Sequence, residues 1–282
     1  MSDRRALLVR LAPAMLLAVL AAAWLLPDSG ALRLAASDRV AADDWTSALD
    51  ALPADATVLV GFDPDIGTYA EVRPTVRTTL ADLLNRDARL VFVSLTPEGR
   101  ALLVSELARL RRGEANVARI LDLGYLPGAE AALVSIAGAP PVPAGAEGAI
   151  ARRVRDEGLA AMDAIVVVGG NDLGPRSWVE QVRPRAGALP ILAIAPTVLL
   201  PELQPYLASG QLVALLGTPR DGAAYRDGAE LGPLARLRGA GEPRTAALVL
   251  GLLIGVLVIG QAWGSRLTSQ LREAGREGVD GA

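Results

Sequence analysis

Short apolar runs alternate along the chain with longer stretches in which apolar residues recur at helical spacing, and this alternation predicts most of the fold. The first run, Thr57–Phe62 (TVLVGF), stops at Asp63, Pro64, Asp65 and Gly67, as a buried strand does where it meets turn residues. Pro74–Leu84 then has helical periodicity through Val76, Leu80, Leu83 and Leu84, with Pro74 suited to a first turn. Arg89–Leu95 reads as a second strand and Glu98–Arg112 as a helix whose apolar face is Leu102, Leu103, Leu107 and Leu110. A short strand at Arg119–Leu123 precedes an apolar helix near Glu130–Ala137, and Gly138–Gly148, rich in proline and glycine, is loop. A helix at Ile150–Met162 leads to the clearest strand, Ala164–Val168, followed by a helix from Ser177 and a strand at Leu189–Ala195. Strands separated by helices, never by tight hairpins, predict an α/β fold with a mostly parallel, doubly wound sheet of about five strands. Leu212–Leu216 is a final strand or a buried helix, read as a structural element packed on the domain, and a short helix at Asp43–Leu52 is a stalk or a packing element.

Two longer apolar stretches flank this region. Leu7–Leu26 follows a charged start containing Arg4 and Arg5, and Thr245–Trp263 carries no charge. Each matches the roughly 20 residues needed to cross a bilayer. The expected organisation is a first membrane helix within residues 1–27, a stalk at 28–54, an extracytoplasmic α/β domain at 55–243, a second membrane helix at 244–264 and a cytoplasmic tail at 265–282. Arg4, Arg5 and Arg10 place the N-terminus inside, so both ends are cytoplasmic. The alternative for the first stretch is a cleaved signal peptide, with Ala21-Ala22-Ala23 as its site. Gly251 and Gly255, four apart, give the second helix a small face for packing on another membrane protein or on itself.

Composition narrows the chemistry. Hydrophobic residues make up 51% of the chain and mean hydropathy is +0.35, which is apolar for a wholly soluble protein. A net charge of -3 leaves no basic footprint for nucleic acid. The chain has no lysine, histidine or cysteine, which excludes histidine-dependent triads, thiol chemistry, lysine Schiff bases and Cys/His zinc sites. Carboxylates, hydroxyls, arginines and backbone remain.

In a doubly wound sheet, ligands sit beyond the carboxyl ends of the strands. The polar residues expected there are Asp63, Asp65, Ser94, Tyr125, Asn171 and Asp172, and the late segment adds Ser209, Gln211 and Tyr225 as ligand- or partner-binding candidates. Each also has an ordinary structural role: Asp63 and Asp65 as caps of the following turn, Asp172 as a helix cap, and the tyrosines as donors to loop backbone. Asp63-Pro64-Asp65 with Gly67-Thr68 resembles the first motif of haloacid-dehalogenase-type hydrolases. That resemblance implies Asp63 and Asp65 as nucleophile and acid/base, Ser94 as the hydroxyl residue and Mg2+ held by Asp63, Asp65 and Asp172. Ile66 interrupts the motif, and the lysine that balances charge in that family has no counterpart.

GFDPDIGT at Gly61–Thr68, LGYLPGAE at Leu123–Glu130 and PYLASGQLVALLGTPRDGAAY at Pro205–Tyr225 together resemble a group of prokaryotic two-span membrane proteins of no assigned activity. In that group a central α/β domain lies between two membrane helices, and an acid often adjoins the tyrosine; here Ala224 and Arg226 flank Tyr225. The resemblance supports the architecture and supplies no reaction or cofactor. The expected function is a non-enzymatic, membrane-tethered domain that holds a ligand or partner within a membrane complex; the alternative is the Mg2+-dependent hydrolase.

Overall fold

The computed structural model describes residues 39–112 and 117–229. Strands β1 (Thr57–Asp63), β2 (Arg89–Ser94), β3 (Ile120–Tyr125), β4 (Ala164–Gly169), β5 (Ile191–Ile194) and β6 (Ala214–Leu216) form one sheet in the order β3-β2-β1-β4-β5-β6. Every neighbouring pair is parallel. The α/β reading therefore holds with six strands instead of five, because the apolar run after Gln211 contributes β6 to the edge. The helices are α1 (Val40–Asp50), α2 (Tyr69–Asn85), α3 (Pro97–Arg112), α4 (Glu130–Gly138), α5 (Ala149–Glu157), α6 (Pro175–Gln181), α7 (Arg183–Ala186), α8 (Leu200–Ala208) and α9 (Pro219–Gly228).

Parallel strands need crossover connections, and the crossovers cover both faces of the sheet. Along β1, Val58, Val60 and Phe62 face a core built with Val76 and Leu80 of α2 and Leu103 and Leu107 of α3. Leu59 faces the opposite core, with Leu133 of α4, Val154 of α5 and Trp178 of α6. The strand is buried throughout, which is why it reads as an unbroken apolar run and not as an alternating one. Gly61 is required at its position: a Cβ there would lie 2.4 Å from the Trp178 ring.

The expected helix at Asp43–Leu52 is α1, and it is a packing element: Trp45 and Leu49 are buried in the first core. Helix α2 starts ahead of the expected position, so Pro74 lies inside it instead of at its first turn. The chain enters the helix from a turn at Asp65, described below. Among the described residues no helix is long and apolar enough to cross a membrane; the stretches 7–26 and 245–263 lie outside the described residues, as do Gly251 and Gly255.

At the amino edge of the sheet one device recurs. Asp55 and Asp87 adopt positive φ, 58° and 63°, in the turns before β1 and β2. Arg89, opening β2, binds the carboxylate and carbonyl of Asp55, and Arg119, just before β3, binds Asp87. Across the other side of β1, the Asp163 carboxylate accepts from the Thr57 N–H at 2.7 Å. Each strand start is thereby tied to its neighbour, which pins the parallel register. At the exposed edge, Asp122 of β3 binds Arg100 through both oxygens, at 2.7 and 2.9 Å. Its Oδ1 also accepts from Gly124 N–H, a charged blunting of an edge strand.

Tyr225 of α9 is buried and donates to Asp82 Oδ2 of α2 at 2.7 Å, while Arg86 holds Asp82 Oδ1 at 3.0 Å. Its ring meets Trp45 edge-on, with centroids 6.2 Å apart. Burial, and then the Asp82 charge, push the Tyr225 hydroxyl well above its ordinary pKa, so it stays a donor. The packing permits no larger residue nearby: a Cβ on Gly222 would lie 1.9 Å from Thr75 Oγ1. Replacing Tyr225 by Phe leaves one oxygen of a buried carboxylate without its donor and is expected to cost about 1–3 kcal/mol. Urea unfolding of the variant checks this, with a lowered midpoint and an unchanged slope as the expected outcome.

Candidate functional site

Strand order reverses between β1 and β4, so the crevice beyond Asp63 and Gly169 is where a doubly wound fold ordinarily receives a ligand. Asp63 ends β1 and is wholly buried. Its Oδ1 accepts from Leu95 N–H at 2.7 Å, Thr96 N–H at 2.8 Å and the Thr96 hydroxyl at 2.9 Å. Thr96 Oγ1 in turn accepts from Gly99 N–H at 3.0 Å, which makes Thr96 the cap of α3, with Pro97 in its first turn. The approach is close enough that a Cβ on Gly99 would lie 2.6 Å from Phe62 O. Ser94 donates to Phe62 O, with its oxygen 3.4 Å from Asp63 Oδ1. Asp63 Oδ2, by contrast, is buried and has no hydrogen-bond partner among the described residues. Burial raises the Asp63 carboxyl to about 6, against the lowering effect of the Leu95, Thr96 and Ser94 hydrogen bonds.

Asp65 is half-buried and turned back on its own chain: Oδ1 accepts from Gly67 N–H at 2.6 Å and its carbonyl accepts from Tyr69 N–H at 2.8 Å. These two bonds form the turn that leads into α2 at Tyr69, ahead of Pro74. From the other side of the crevice, the Asn171 amide donates to the Asp63 carbonyl at 3.1 Å, and Asn171 Oδ1 accepts from Leu173 N–H at 3.0 Å. Gly170 lets the two loops touch, and Gly169 lets its own loop fold back toward Pro175. A Cβ on Gly170 would lie 2.7 Å from Asp65 N, and one on Gly169 would lie 2.5 Å from Pro175. Asp172 is exposed, and its carbonyl accepts from Ser177.

The other helix starts along this edge use acids in the same way. Glu71 Oε1 accepts from Thr197 N–H at 2.9 Å, where the chain turns into α8. Thr218 and Asp221 form a reciprocal capping box at α9. Helix N-termini are natural anion sites, and here the caps described belong to the chain itself. Among the described residues no three acidic side chains are grouped to hold a metal ion; Asp63 faces the 94–96 turn, Asp65 faces Gly67 and Asp172 faces outward.

The sequence candidates therefore divide. Asp63, Asp65, Ser94 and Asn171 meet at the carboxyl edge around β1, and Tyr125, exposed, ends the outer strand β3. Ser209 and Gln211 lie in the turn between α8 and β6, at the opposite edge of the sheet, with Gln211 donating to Ser209 Oγ at 3.2 Å. Tyr225 is in the first core, and the acid it binds is Asp82 on another helix. Sequence reading passed over Thr96, although Thr-Pro-Glu after a strand is a helix-start signal. It also passed over the buried ion cluster of Glu106, which accepts from Arg77 at 2.9 Å and Arg109 at 2.6 Å. Burial alone would raise the Glu106 pKa; the two guanidinium groups outweigh it and hold the carboxyl below its ordinary range.

Substituting Gly170 by Ala tests how full the crevice is. The added methyl meets backbone, so a loss of about 1–3 kcal/mol in chemical denaturation is expected; an open ligand cleft would accept it without cost. Comparisons with protein-family models, with curated proteins and with solved structures return no match to this chain.

Proposed function

We propose that this protein is a membrane-tethered α/β domain that acts without catalysis, as a partner- or ligand-binding accessory component of a membrane complex. The observation that carries the reading is the state of the carboxyl edge. The groups that would cradle a phosphate or a metal in a doubly wound fold are engaged in holding the domain together: Asp65 holds Gly67 N–H in the turn before α2, Asp63 holds the 95–96 backbone, Thr96 caps α3, and Asn171 bridges to Asp63. The absence of lysine and histidine supports it further, since neither charge balance by lysine nor proton transfer by histidine is on hand. The charge-free stretch Thr245–Trp263 and the apolar Leu7–Leu26 support the tether, with both ends of the chain cytoplasmic and the domain outside. Exposed apolar side chains at the carboxyl edge, Ile66 at 63% and Val198 at 72%, offer contact surface to a protein partner.

Full-length protein isolated from its own membrane is expected to carry another integral membrane protein, and a reporter joined after Ala282 is expected to read as cytoplasmic. Addition of Mg2+, with or without a phosphate ester, is expected to leave the thermal midpoint unchanged and to release no phosphate. Mg2+-dependent phosphatase activity that disappears in Asp63→Asn would overturn the non-enzymatic reading in favour of the hydrolase.

A further inference from the structure

We propose that a cavity at the amino edge of the sheet is a binding site for a small, uncharged aromatic molecule, held between apolar walls and the guanidinium of Arg86. The cavity measures about 300 Å3, at the lower end of the range for ligand sites. It lies where α1 and α2 both end, beside the turns that lead into β1 and β2, and so at the opposite edge from the crevice at Asp63. Leu49, Ala56, Leu83 and Ala88 line it and are buried. Pro53 and Ala54 also line it and are exposed, so the space opens to solvent.

The lining decides the charge of the occupant. Arg86 is its only ionisable residue among the described residues, and two acids already match that guanidinium. Nη1 binds Asp50 Oδ1 at 2.6 Å, and Nε binds Asp82 Oδ1 at 3.0 Å. An anion entering here would add a third carboxylate to one cation, and a cation would meet Arg86 itself. The backbone supplies no cradle for charge at the mouth: the N–H groups of Leu52, Ala56 and Ala88 donate to the carbonyls of Leu49, Pro53 and Leu83, and a proline has no N–H to give. A neutral, mainly apolar occupant fits such walls, because a charge would lose its water without a partner.

Arg86 also decides the kind of apolar group. Its bonds to Asp50 and Asp82 fix the plane of the guanidinium and use two of its nitrogens, which leaves the aliphatic stem and the planar faces as contact surface. A cation held in that way attracts the face of an aromatic ring and has no equivalent attraction for a saturated one. The site draws on neither the membrane tether nor the carboxyl edge, so its failure would leave the proposed function standing.

Methyl NMR of the full-length chain tests this, with the methyl groups of Ala56, Leu83 and Ala88 as reporters and benzyl alcohol, cyclohexylmethanol and benzoate as probes. Benzyl alcohol is expected to shift these signals saturably, with a Kd of about 1 mM or tighter. Cyclohexylmethanol is expected to bind about threefold more weakly, and benzoate about tenfold more weakly. In Arg86→Gln the preference for the aromatic over the saturated ring is expected to vanish. Ala54→Leu, at the exposed mouth, is expected to weaken benzyl alcohol by at least about fivefold through occlusion. Shifts that never saturate, equal affinity for the two neutral probes, or preference for benzoate overturns the site. Should Arg86→Gln fail to fold, the wild-type ranking and Ala54→Leu decide: a ranking as stated with weakened binding in Ala54→Leu supports the site, and unchanged binding in that variant overturns it.

Discussion

Because the Asp63 carboxylate accepts from both Leu95 and Thr96, the last residue of β1 fixes where α3 begins. Helix α3 then carries Glu106 to Arg77 on α2, and α2 in turn carries Asp82 to Tyr225 on α9. These buried polar contacts thus set how α2, α3 and α9 are rotated on the first face of the sheet. The apolar cores supply the driving force for burial but are non-directional. A hydrogen-bonded carboxylate is directional, and leaving it unpaired is costly, so these contacts select one packing among those that bury similar area.

The two edges of the sheet handle charge differently. At the amino edge, arginines at the starts of β2 and β3 bind acids in the preceding turns, Asp55 and Asp87, in pairs that are largely solvated and contribute modestly. Their value lies in register. At the carboxyl edge the acids face helix starts and buried amides instead, where negative charge is favoured by the helix dipole and penalised by burial. Asp65, partly exposed, bonds Gly67 in the turn before α2. At Asp63 burial raises the carboxyl against the lowering effect of the Leu95, Thr96 and Ser94 hydrogen bonds.

That balance bears on chemistry as well as stability. The crevice at the β1–β4 reversal has the topology of a ligand site, yet Gly170 brings its walls together and Asn171 bonds across it. The resemblance of Asp63-Pro64-Asp65 to a phosphoryl-transfer motif is local; the two carboxylates point to different turns.

The sequence alone determined the alternation of strands and helices, because periodicity of apolar residues records locally which face of an element is buried. It also determined what chemistry the chain lacks, since no fold supplies a missing lysine or histidine. Strand starts at Thr57, Arg89 and Ala164 stand where the pattern put them. Tertiary structure alone decided the strand order, the inclusion of β6, and the partners of the polar candidates. Asp63 meets Thr96 across 33 residues, and Tyr225 meets Asp82 across 143. Such partners depend on which strands become neighbours and on how closely helices approach through Gly99 and Gly222. No local periodicity encodes that, because an acid that caps a helix and an acid that binds a metal look the same until their neighbours are in place.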